Sequence, residues 1–490
     1  MPERPNVLLV VADQYRGDCV GRDPATPTDD RGDPVVHTPT LNSLVDEGAL
    51  FSQAYTPVPS CAPARRCLRT GQTPASCDST NWTTEPWDFE HELTGQFAAA
   101  GYETMLAGKL HAFPPGNRLG FERSALQPGP EYEAWLAEQV PDRELDEYGH
   151  GVGPNAWDAR PFHLDEVLHP TTWTTNRALE FLDSRDSERP FFLNVSYLKP
   201  HTPLNPPRAY WEFYADRDLP PAAVGDWVDA AHGADLPAYP PLDAWCGEMA
   251  PDVVKRARRG YYGLVTHLDH QLSRVIRELR AQGEWENTVV VFTADHGDML
   301  GDHHLWRKCY GYEPSARVPF IVKPPGSADV DPHLDDDDVE GRTIGRPVGL
   351  EDVMPTLLDA CELPIPETVE GGSVLRLLDD PATDDWRAYY HGEHGPIYEP
   401  ENATQYLVGE RYKLVWNPVT GTELLFDLRS DPLEERDRIE DPDHADVLDT
   451  LETRLVERLR GREEGFTDGE GLVRTEVAFA AGHYTGYDPG

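Results

Sequence analysis

Three short runs of apolar residues end in polar side chains that can bind ligands or take part in catalysis. The first run, residues 7–12, contains only valine, leucine and alanine, which is typical of a strand buried on both faces of a parallel sheet. Such strands bring their carboxyl ends to one edge of the sheet, where ligands bind. The sequence therefore predicts an α/β fold with a single site at that edge. The runs and their polar ends are residues 7–12 with Asp13 and Gln14, Phe191–Tyr197 with Lys199 and His201, and residues 288–293 with Asp295 and His296.

Helical periodicity between these runs, and a change of pattern after residue 371, predict the domain organisation. We expect a large mixed, mostly parallel sheet between helices over residues 1–375. A smaller C-terminal antiparallel sheet domain is expected over 376–465, followed by a C-terminal tail over 466–490. The individual predictions are helices at 40–48, 253–282 and 445–460, strands at 319–322, 406–408, 413–416 and 424–426, and an acidic surface loop at 328–340.

The charge of the chain excludes some classes of partner. Its 490 residues include 43 lysines and arginines against 87 aspartates and glutamates, which gives a net charge of −44. This balance argues against nucleic acid and anionic membranes as main partners. The acidic residues are spread along the chain, which is typical of a halophilic surface whose self-repulsion is screened by salt. An acidic mesophilic protein is the alternative.

The expected location is cytoplasmic. The apolar runs are too short to span a bilayer, and the N-terminal run resembles a core strand more than a secretory leader. Seven cysteines without regular spacing, in a chain large enough to fold without disulfides, fit a reducing compartment. The sequence leaves open whether the chain forms a homo-oligomer.

Oxygen and nitrogen ligands follow two of the predicted strands. A divalent cation could bind Asp13 with Gln14 and Asp295 with His296, and hard oxygen ligands favour calcium or magnesium. The alternative for a carboxylate in this position is the cap of the next helix. The run Asp302, His303 and His304 is interpreted as a polar loop without a catalytic role.

Cys61 has an unusual sequence environment. It lies among three prolines and close to Arg65 and Arg66, an irregular and electropositive setting that favours a reactive nucleophile. The alternative is a small buried apolar residue, which is the usual role of a free cysteine. Cys67 has no comparable neighbours and is expected to face the interior.

These residues form an ordered set of motifs that resembles the sulfatase family over residues 5–460. The most specific motif is Cys61-x-Pro63-x-Arg65 followed by Thr70-Gly71. The other matching motifs are Pro5-Asn6-Val7 through Asp13-Gln14, Gly108-Lys109-Leu110-His111, Lys199-Pro200-His201-Thr202-Pro203, Thr293-Ala294-Asp295-His296-Gly297, Lys308 and Arg317-Val318-Pro319.

The resemblance implies an alkaline-phosphatase-like fold and hydrolysis of an aryl or carbohydrate sulfate ester, with release of sulfate and an alcohol. Cys61 would be converted to formylglycine by a formylglycine-generating enzyme, and one hydroxyl of the aldehyde hydrate would attack sulfur. The cation, with calcium favoured and manganese or magnesium as alternatives, would be bound by a set of five residues. That set is Asp13, Gln14, Cys61, Asp295 and His296.

The resemblance also implies roles for the remaining site residues. Arg65 would hold the formylglycine oxygens, while Lys109 and Lys308 would bind the sulfate oxygens. His201 would protonate the leaving alcohol, and His111 would accept a proton from the second hydroxyl, which expels sulfate. Taken singly, each histidine is better interpreted as an ordinary surface imidazole, and the motif context favours the catalytic role.

Two alternatives to a sulfatase remain open. Gln14 and His296 depart from the commonest sulfatase pattern and occur in the branch resembling choline sulfatases and phosphonate monoester hydrolases. A phosphonate or phosphate esterase on the same scaffold is therefore one alternative, although Lys109 and His111 favour sulfate esters. A non-catalytic binding protein is the other. Residues 391–394 and Tyr398 either shape an outer pocket or form an ordinary surface turn.

Overall fold

The structure is a computed structural model that describes residues 4–140, 151–234, 236–237, 240–326, 343–399 and 401–475. The predicted acidic loop at 328–340, and residues 476–490 of the predicted tail, lie outside the described residues.

The described residues contain fourteen strands and twelve α-helices. The strands are β1 (Asn6–Ala12), β2 (Ala49–Phe51), β3 (Ala54–Tyr55), β4 (Glu103–Gly108), β5 (Arg123–Leu126), β6 (Phe191–Tyr197), β7 (Thr288–Ala294), β8 (Phe320–Lys323), β9 (Thr343–Ile344), β10 (Val348–Gly349), β11 (Tyr390–His394), β12 (Thr404–Val408), β13 (Tyr412–Trp416) and β14 (Glu423–Asp427). The helices are α1 (Pro39–Glu47), α2 (Cys61–Thr70), α3 (Leu93–Ala99), α4 (Pro130–Gln139), α5 (Pro170–Ser184), α6 (Arg208–Phe213), α7 (Val228–His232), α8 (Pro251–Ala281), α9 (Glu313–Ala316), α10 (Val353–Ala360), α11 (Leu375–Asp379) and α12 (Ala445–Leu459).

A large mixed sheet forms the centre of the molecule, as predicted. Its eight strands lie in the order β5-β4-β6-β1-β7-β8-β2-β9, and all neighbours are parallel except that β8 runs against β7 and β2. Strand β1 lies between β6 and β7, so that Ala12 is opposite both Tyr197 and Ala294. All seven residues of β1 are buried, because neighbours on both edges and packed helices on the sheet leave no exposed face.

The helices bury apolar stripes against this sheet and against each other. In α8 the side chains of Leu264, Leu268 and Leu272 are fully buried, as their four-residue spacing predicts. The observed bounds of α1 and α8 differ from the predicted 40–48 and 253–282 by one or two residues at each end. No helix of the described residues is both long enough and apolar enough to cross a membrane.

The predicted antiparallel sheet is also present. Strands β11 to β14 pair in sequence order, each antiparallel to the next. Helix α12 covers one face of this sheet, with Leu455 packed in a cluster that includes Leu414 and Leu425. Phe466 is fully buried and its ring meets that of Trp416 edge to face.

Strands β3 and β10 pair in a separate two-stranded sheet, and aromatic and charged residues join the four-stranded sheet to β3 and to the segment after β7. Tyr55 of β3 stacks on Tyr390 of β11 with 6.1 Å between ring centroids. Lys413 of β13 is fully buried, and its Nζ lies 2.8 Å from Glu313 and 2.9 Å from Glu434. These contacts fix the small sheet against the segment that follows β7, which carries several of the predicted site residues.

Candidate active site

Four adjacent strands of the large sheet each end in residues singled out by the sequence. Lys109 follows β4, Lys199 to His201 follow β6, Asp13 follows β1 and Asp295 follows β7. The predicted convergence of distant strand ends is therefore observed.

The end of β4 depends on a glycine. Gly108 has φ +109°, and a Cβ atom at this position would lie only 1.9 Å from the carbonyl oxygen of Ser196. Because glycine has no Cβ, β4 can approach β6 closely enough for the Lys109 N–H to donate to that same oxygen at 2.8 Å. The glycine thereby positions the Lys109 side chain at the edge of the sheet.

A compact cluster of potential metal ligands lies between the ends of β1 and β7. One ligand atom from each of Asp13, Cys61, Asp295 and His296 lies within 4.8 Å of the other three, and all four residues are buried. Nδ1 of His296 lies 2.8 Å from the carbonyl oxygen of Gly297, which directs Nε2 toward the cluster. Two carboxylates and an imidazole nitrogen fit a divalent cation in both charge and ligand type.

Gln14 joins the edge of this cluster. Its backbone N–H donates to Oδ1 of Asp295 at 3.1 Å, and its side-chain Oε1 accepts from Nζ of Lys308 at 3.3 Å. Its Nε2 donates to Oδ2 of Asp298 at 2.5 Å. Four of the five predicted ligands therefore lie in one cluster, and the side-chain amide of Gln14 lies between Asp298 and Lys308.

The two carboxylates of the cluster have opposite pKa shifts. Burial raises the pKa of Asp13, but Lys109, His201, Lys308 and Arg65 offset this effect and hold the pKa well below its usual value. The pKa of Asp295 is raised by burial and by the charge of Asp13, and Arg65 only partly opposes the increase. A cation between them would favour the ionised form of both groups.

Cys61 is the first residue of α2 and lies at the centre of the site. Its Sγ is 3.1 Å from Nζ of Lys308, 3.1 Å from Nε2 of His296 and 3.5 Å from Oδ1 of Asp13. Burial and the charge of Asp13 raise the pKa of the thiol. The positive charges of Lys109, Lys308 and His296 have the larger combined effect and hold this pKa well below its usual value. The site therefore stabilises negative charge at this position.

Arg65 lies one helical turn after Cys61 on α2. Its Nε donates to Oδ2 of Asp295 at 2.8 Å, and its Nη1 donates to the carbonyl oxygen of Lys109 at 3.0 Å and to Oγ of Ser196 at 2.9 Å. The guanidinium thus connects the active-site helix to the ends of β4, β6 and β7.

The predicted lysines and His201 surround Cys61. Lys109 forms a close ion pair with Asp13, while Nζ of Lys308 lies 3.1 Å from Nε2 of His201. Nδ1 of His201 is 2.8 Å from the carbonyl oxygen of Thr202, which fixes the orientation of the ring. Lys199 points away from Cys61, because its Nζ donates to the carbonyl oxygens of His201 and Pro203.

His111 lies on the other side of the site, beside Cys61 and against the ring of Trp82. The two ring centroids are 5.0 Å apart. Burial, reinforced by the charge of Lys109, lowers the pKa of His111 to about 4. The imidazole is therefore neutral near pH 7 and able to accept a proton.

Several residues of the site were not assigned by the sequence analysis. Ser196 and Asp298, which hold Arg65 and Gln14, come from the same strand-end segments as predicted residues. His394 lies in the segment 391–394, which forms strand β11 and not the surface turn considered from the sequence. It is fully buried, and burial together with the charges of His296 and Lys308 lowers its pKa to about 4. A signal existed for Ser196, since a polar residue within a continuous buried strand needs a partner.

Residues 302–304, interpreted as a polar loop, form a short turn whose side chains are not among the residues of the ligand cluster. Asp302 is buried and accepts from Arg16 at 2.8 Å and from Arg258 at 2.5 Å. Cys67 faces the interior as predicted, with its Sγ 3.6 Å from that of Cys77.

The chain matches two family descriptions. The sulfatase family covers residues 5–363, and the description "N-sulphoglucosamine sulphohydrolase, C-terminal" covers residues 301–461. An arylsulfatase of Clostridium perfringens is 35% identical over 96% of this chain and 98% of its own length. The multifunctional alkaline phosphatase superfamily protein PehA of Trinickia caryophylli is 30% identical over 91% of this chain and 93% of its own length.

The fold is shared with solved structures. A phosphonate monoester hydrolase of Agrobacterium radiobacter superposes with a TM-score of 0.74 at 24% identity, and the match covers 97% of this chain and 100% of that one. The alkaline-phosphatase-like architecture expected from the sequence is thereby confirmed. Together with the match over residues 5–363, these similarities show that the chain belongs to the sulfatase family of sulfuric ester hydrolases.

Proposed function

We propose that the chain hydrolyses sulfate monoesters by a metal-dependent mechanism in which Cys61, converted to formylglycine, supplies the nucleophile. The products are inorganic sulfate and an alcohol. The observation that carries this proposal is the position of Cys61, whose Sγ lies between the carboxylate and imidazole groups of the cluster and the ammonium group of Lys308. A nucleophile held there meets both a cation site and a positive group for a sulfate oxygen.

The cation would be held by Asp13, Asp295 and His296 together with the side-chain amide of Gln14. Calcium is our first choice because three of these residues offer oxygen ligands, with manganese and magnesium as alternatives. When bound, the cation supplies Lewis acidity that makes the nucleophilic hydroxyl more acidic.

The chain's own side chains would bind the ester and move protons. Lys109 and Lys308 neutralise sulfate oxygens as point charges. His201 would donate a proton to the oxygen of the leaving alcohol, with its ring oriented by the bond to Thr202. Burial and the charge of Lys308 lower the pKa of His201, so its ring would take up that proton only when the negatively charged ester is bound. His111 accepts a proton from residue 61 in the later step that expels sulfate, which agrees with its lowered pKa.

Mass spectrometry of the peptide that contains Cys61 tests the proposal. The protein should be produced together with a formylglycine-generating enzyme, the maturation partner that the proposal requires. Conversion of the thiol to the aldehyde lowers the mass by about 18 Da, and sulfate release should increase with the converted fraction. Sulfate release by fully unconverted protein would contradict the formylglycine mechanism.

A phosphonate or phosphate ester hydrolase is the second candidate. Two observations favour it. Gln14 lies at the edge of the cluster and His296 lies within it, and the chain is similar to the multifunctional alkaline phosphatase superfamily protein PehA. Phenyl phosphonates and phenyl sulfates should be compared as substrates of one preparation. A much larger kcat/KM for the phosphonate would favour this second candidate.

A further inference from the structure

A cavity of about 390 Å³ opens beside the site, between the segments that follow β4, β5 and β6. Its walls include Lys109, His111 and His201, so it adjoins the groups assigned to the ester and its leaving alcohol. Binding sites for small molecules range from about 300 to 1,000 Å³. The cavity therefore has room for a monomeric alcohol.

The wall of this cavity is predominantly apolar. No aspartate or glutamate of the described residues lines it, although the chain carries a net charge of −44. Trp82 packs against the wall residue Phe113, with 6.1 Å between ring centroids. The apolar lining residues include Leu110, Ala112, Phe113, Leu126, Pro128 and Leu198.

Most polar side-chain atoms in this wall already have partners within the protein. Lys109 is paired with Asp13, and Oγ1 of Thr202 donates to the carbonyl oxygen of Pro154 at 2.7 Å. Both ring nitrogens of His201 have partners, one in Thr202 and one in Lys308. Nδ1 of His111 is buried without a hydrogen-bond partner in the described residues. The wall can thus serve the ester group but offers few hydrogen-bond partners to further hydroxyls.

We infer that the leaving group is an uncharged, apolar alcohol, alkyl or aryl, whose carbon skeleton occupies this cavity. The inference rests on the proposed function, because it assigns the alcohol part of the sulfate ester. An apolar skeleton gains from leaving water at Phe113 and Leu126. A sugar would bury hydroxyls without partners, and a quaternary ammonium group would lack a carboxylate in the described wall.

Three sulfate esters of primary alcohols separate these classes, and all three leaving alcohols need a proton in the transition state. They are cyclohexylmethyl sulfate, glucose 6-sulfate and choline sulfate, with sulfate release as the readout. We expect kcat/KM for cyclohexylmethyl sulfate to exceed both others by about 100-fold or more, since a single methylene in an apolar pocket is worth about 10- to 200-fold.

Variants of the wall link this preference to the cavity. Phe113→Ser and Leu126→Gln should each lower kcat/KM for cyclohexylmethyl sulfate about 10-fold and change that for glucose 6-sulfate by less than about 2-fold. Phe213→Ser is the matched control, because Phe213 is 41% exposed on α6 and outside the cavity. It should leave all three substrates unchanged.

The outcomes distinguish this inference from the proposed function. A larger kcat/KM for glucose 6-sulfate or choline sulfate, or an equal loss on all substrates in both wall variants, would overturn the assignment of the cavity alone. Release of sulfate from none of the three esters, and none from 2-naphthyl sulfate, would overturn both proposals.

Discussion

Nζ of Lys308 lies 3.1 Å from Sγ of Cys61, although 247 residues separate the two in sequence. The same ammonium group contacts His201 and Gln14, so it joins the proposed nucleophile, the proposed acid and the edge of the ligand cluster. This single contact brings the segment after β7 to the first turn of α2.

Replacement of Lys308 should remove a charge that both the nucleophile and the sulfate group need. Lys308→Ala is expected to lower kcat about 10²- to 10³-fold, as loss of one preorganised electrostatic group does in other enzymes. Lys308→Arg should retain part of the activity. Lys255→Ala, at a lysine whose side chain is 52% exposed, is the control. Equal activity of the Lys308→Ala and control variants would contradict this role.

Removal of the cation should abolish activity. Chelation leaves Asp13 and Asp295 as two buried carboxylates close together and the nucleophile less acidic. Calcium should restore turnover, with manganese or magnesium as alternatives, and the bound metal can be measured by elemental analysis. Asp295→Ala should bind less metal and lose activity in parallel. Full turnover by demonstrably metal-free protein is incompatible with the proposal.

The two histidines should respond differently to the leaving group. His201→Ala is expected to lower turnover of alkyl sulfates about 10²- to 10⁴-fold, because a poor leaving alcohol needs a proton in the transition state. Nitrophenyl sulfates should be affected much less. His111→Ala should release a burst of alcohol and then turn over slowly on every substrate, with sulfate retained by the protein. Equal losses on both substrates, without retained sulfate, would refute these roles.

The stability of the fold should decrease in mild acid through His303. This side chain is fully buried, and its Nδ1 accepts from the N–H of Gly225 at 3.1 Å, which requires a neutral ring. Burial lowers the pKa of His303 to about 4. In the unfolded chain the pKa of this histidine is about 6.5. Between pH 4 and 6.5 the unfolded state therefore binds more protons than the folded state, and the free energy of unfolding falls as the pH drops through this range.

The size of this effect is measurable by denaturant unfolding at several pH values. His303 alone would contribute up to about 3 kcal/mol, from about 2.5 pKa units at 1.36 kcal/mol each. His303→Gln should be less stable at pH 7 and lose less stability between pH 6.5 and 4 than the parent protein. Parallel pH profiles of the two proteins would show that His303 does not titrate as described.

Salt should stabilise the protein. The net charge of −44 makes the chain repel itself. The Debye length, beyond which charges are largely screened from one another, is about 3 Å at molar salt and about 30 Å at 10 mM, so the repulsion is far stronger at low salt. We expect the melting temperature to fall by about 5 °C or more over this range. A flat melting temperature would remove the halophilic interpretation and leave the enzymatic one intact.

The large sheet could be predicted from sequence because β1, β6 and β7 are mainly apolar runs, and all of their residues are buried. Strands β4 and β11 were not predicted as strands, because Glu103, His391 and Glu393 interrupt their apolar pattern. Those charged or polar residues are accommodated by tertiary contacts that no local pattern reveals, such as the ion pair of Glu393 with Arg462 at 2.9 Å.

The sequence could predict those residues of the site that are chemically distinctive and belong to a motif. The ligand cluster contains Asp13, Asp295 and His296, which follow strands of the predicted sheet, and Cys61, which was expected there from the resemblance. The apolar cavity beside them could not be predicted, because its wall combines ordinary apolar residues from the segments after three strands. Their proximity is a property of the sheet order and not of any segment.

The position of β1 has a consequence for biosynthesis. Strand β1 is made before both of its neighbours in the sheet, and Asn6 is opposite Thr288 of β7. At about 5–20 residues per second, the ribosome would complete β7 roughly 15–60 s after β1. Throughout that interval a strand of valine and leucine has at least one edge without its native partner, and such an edge can pair with another chain.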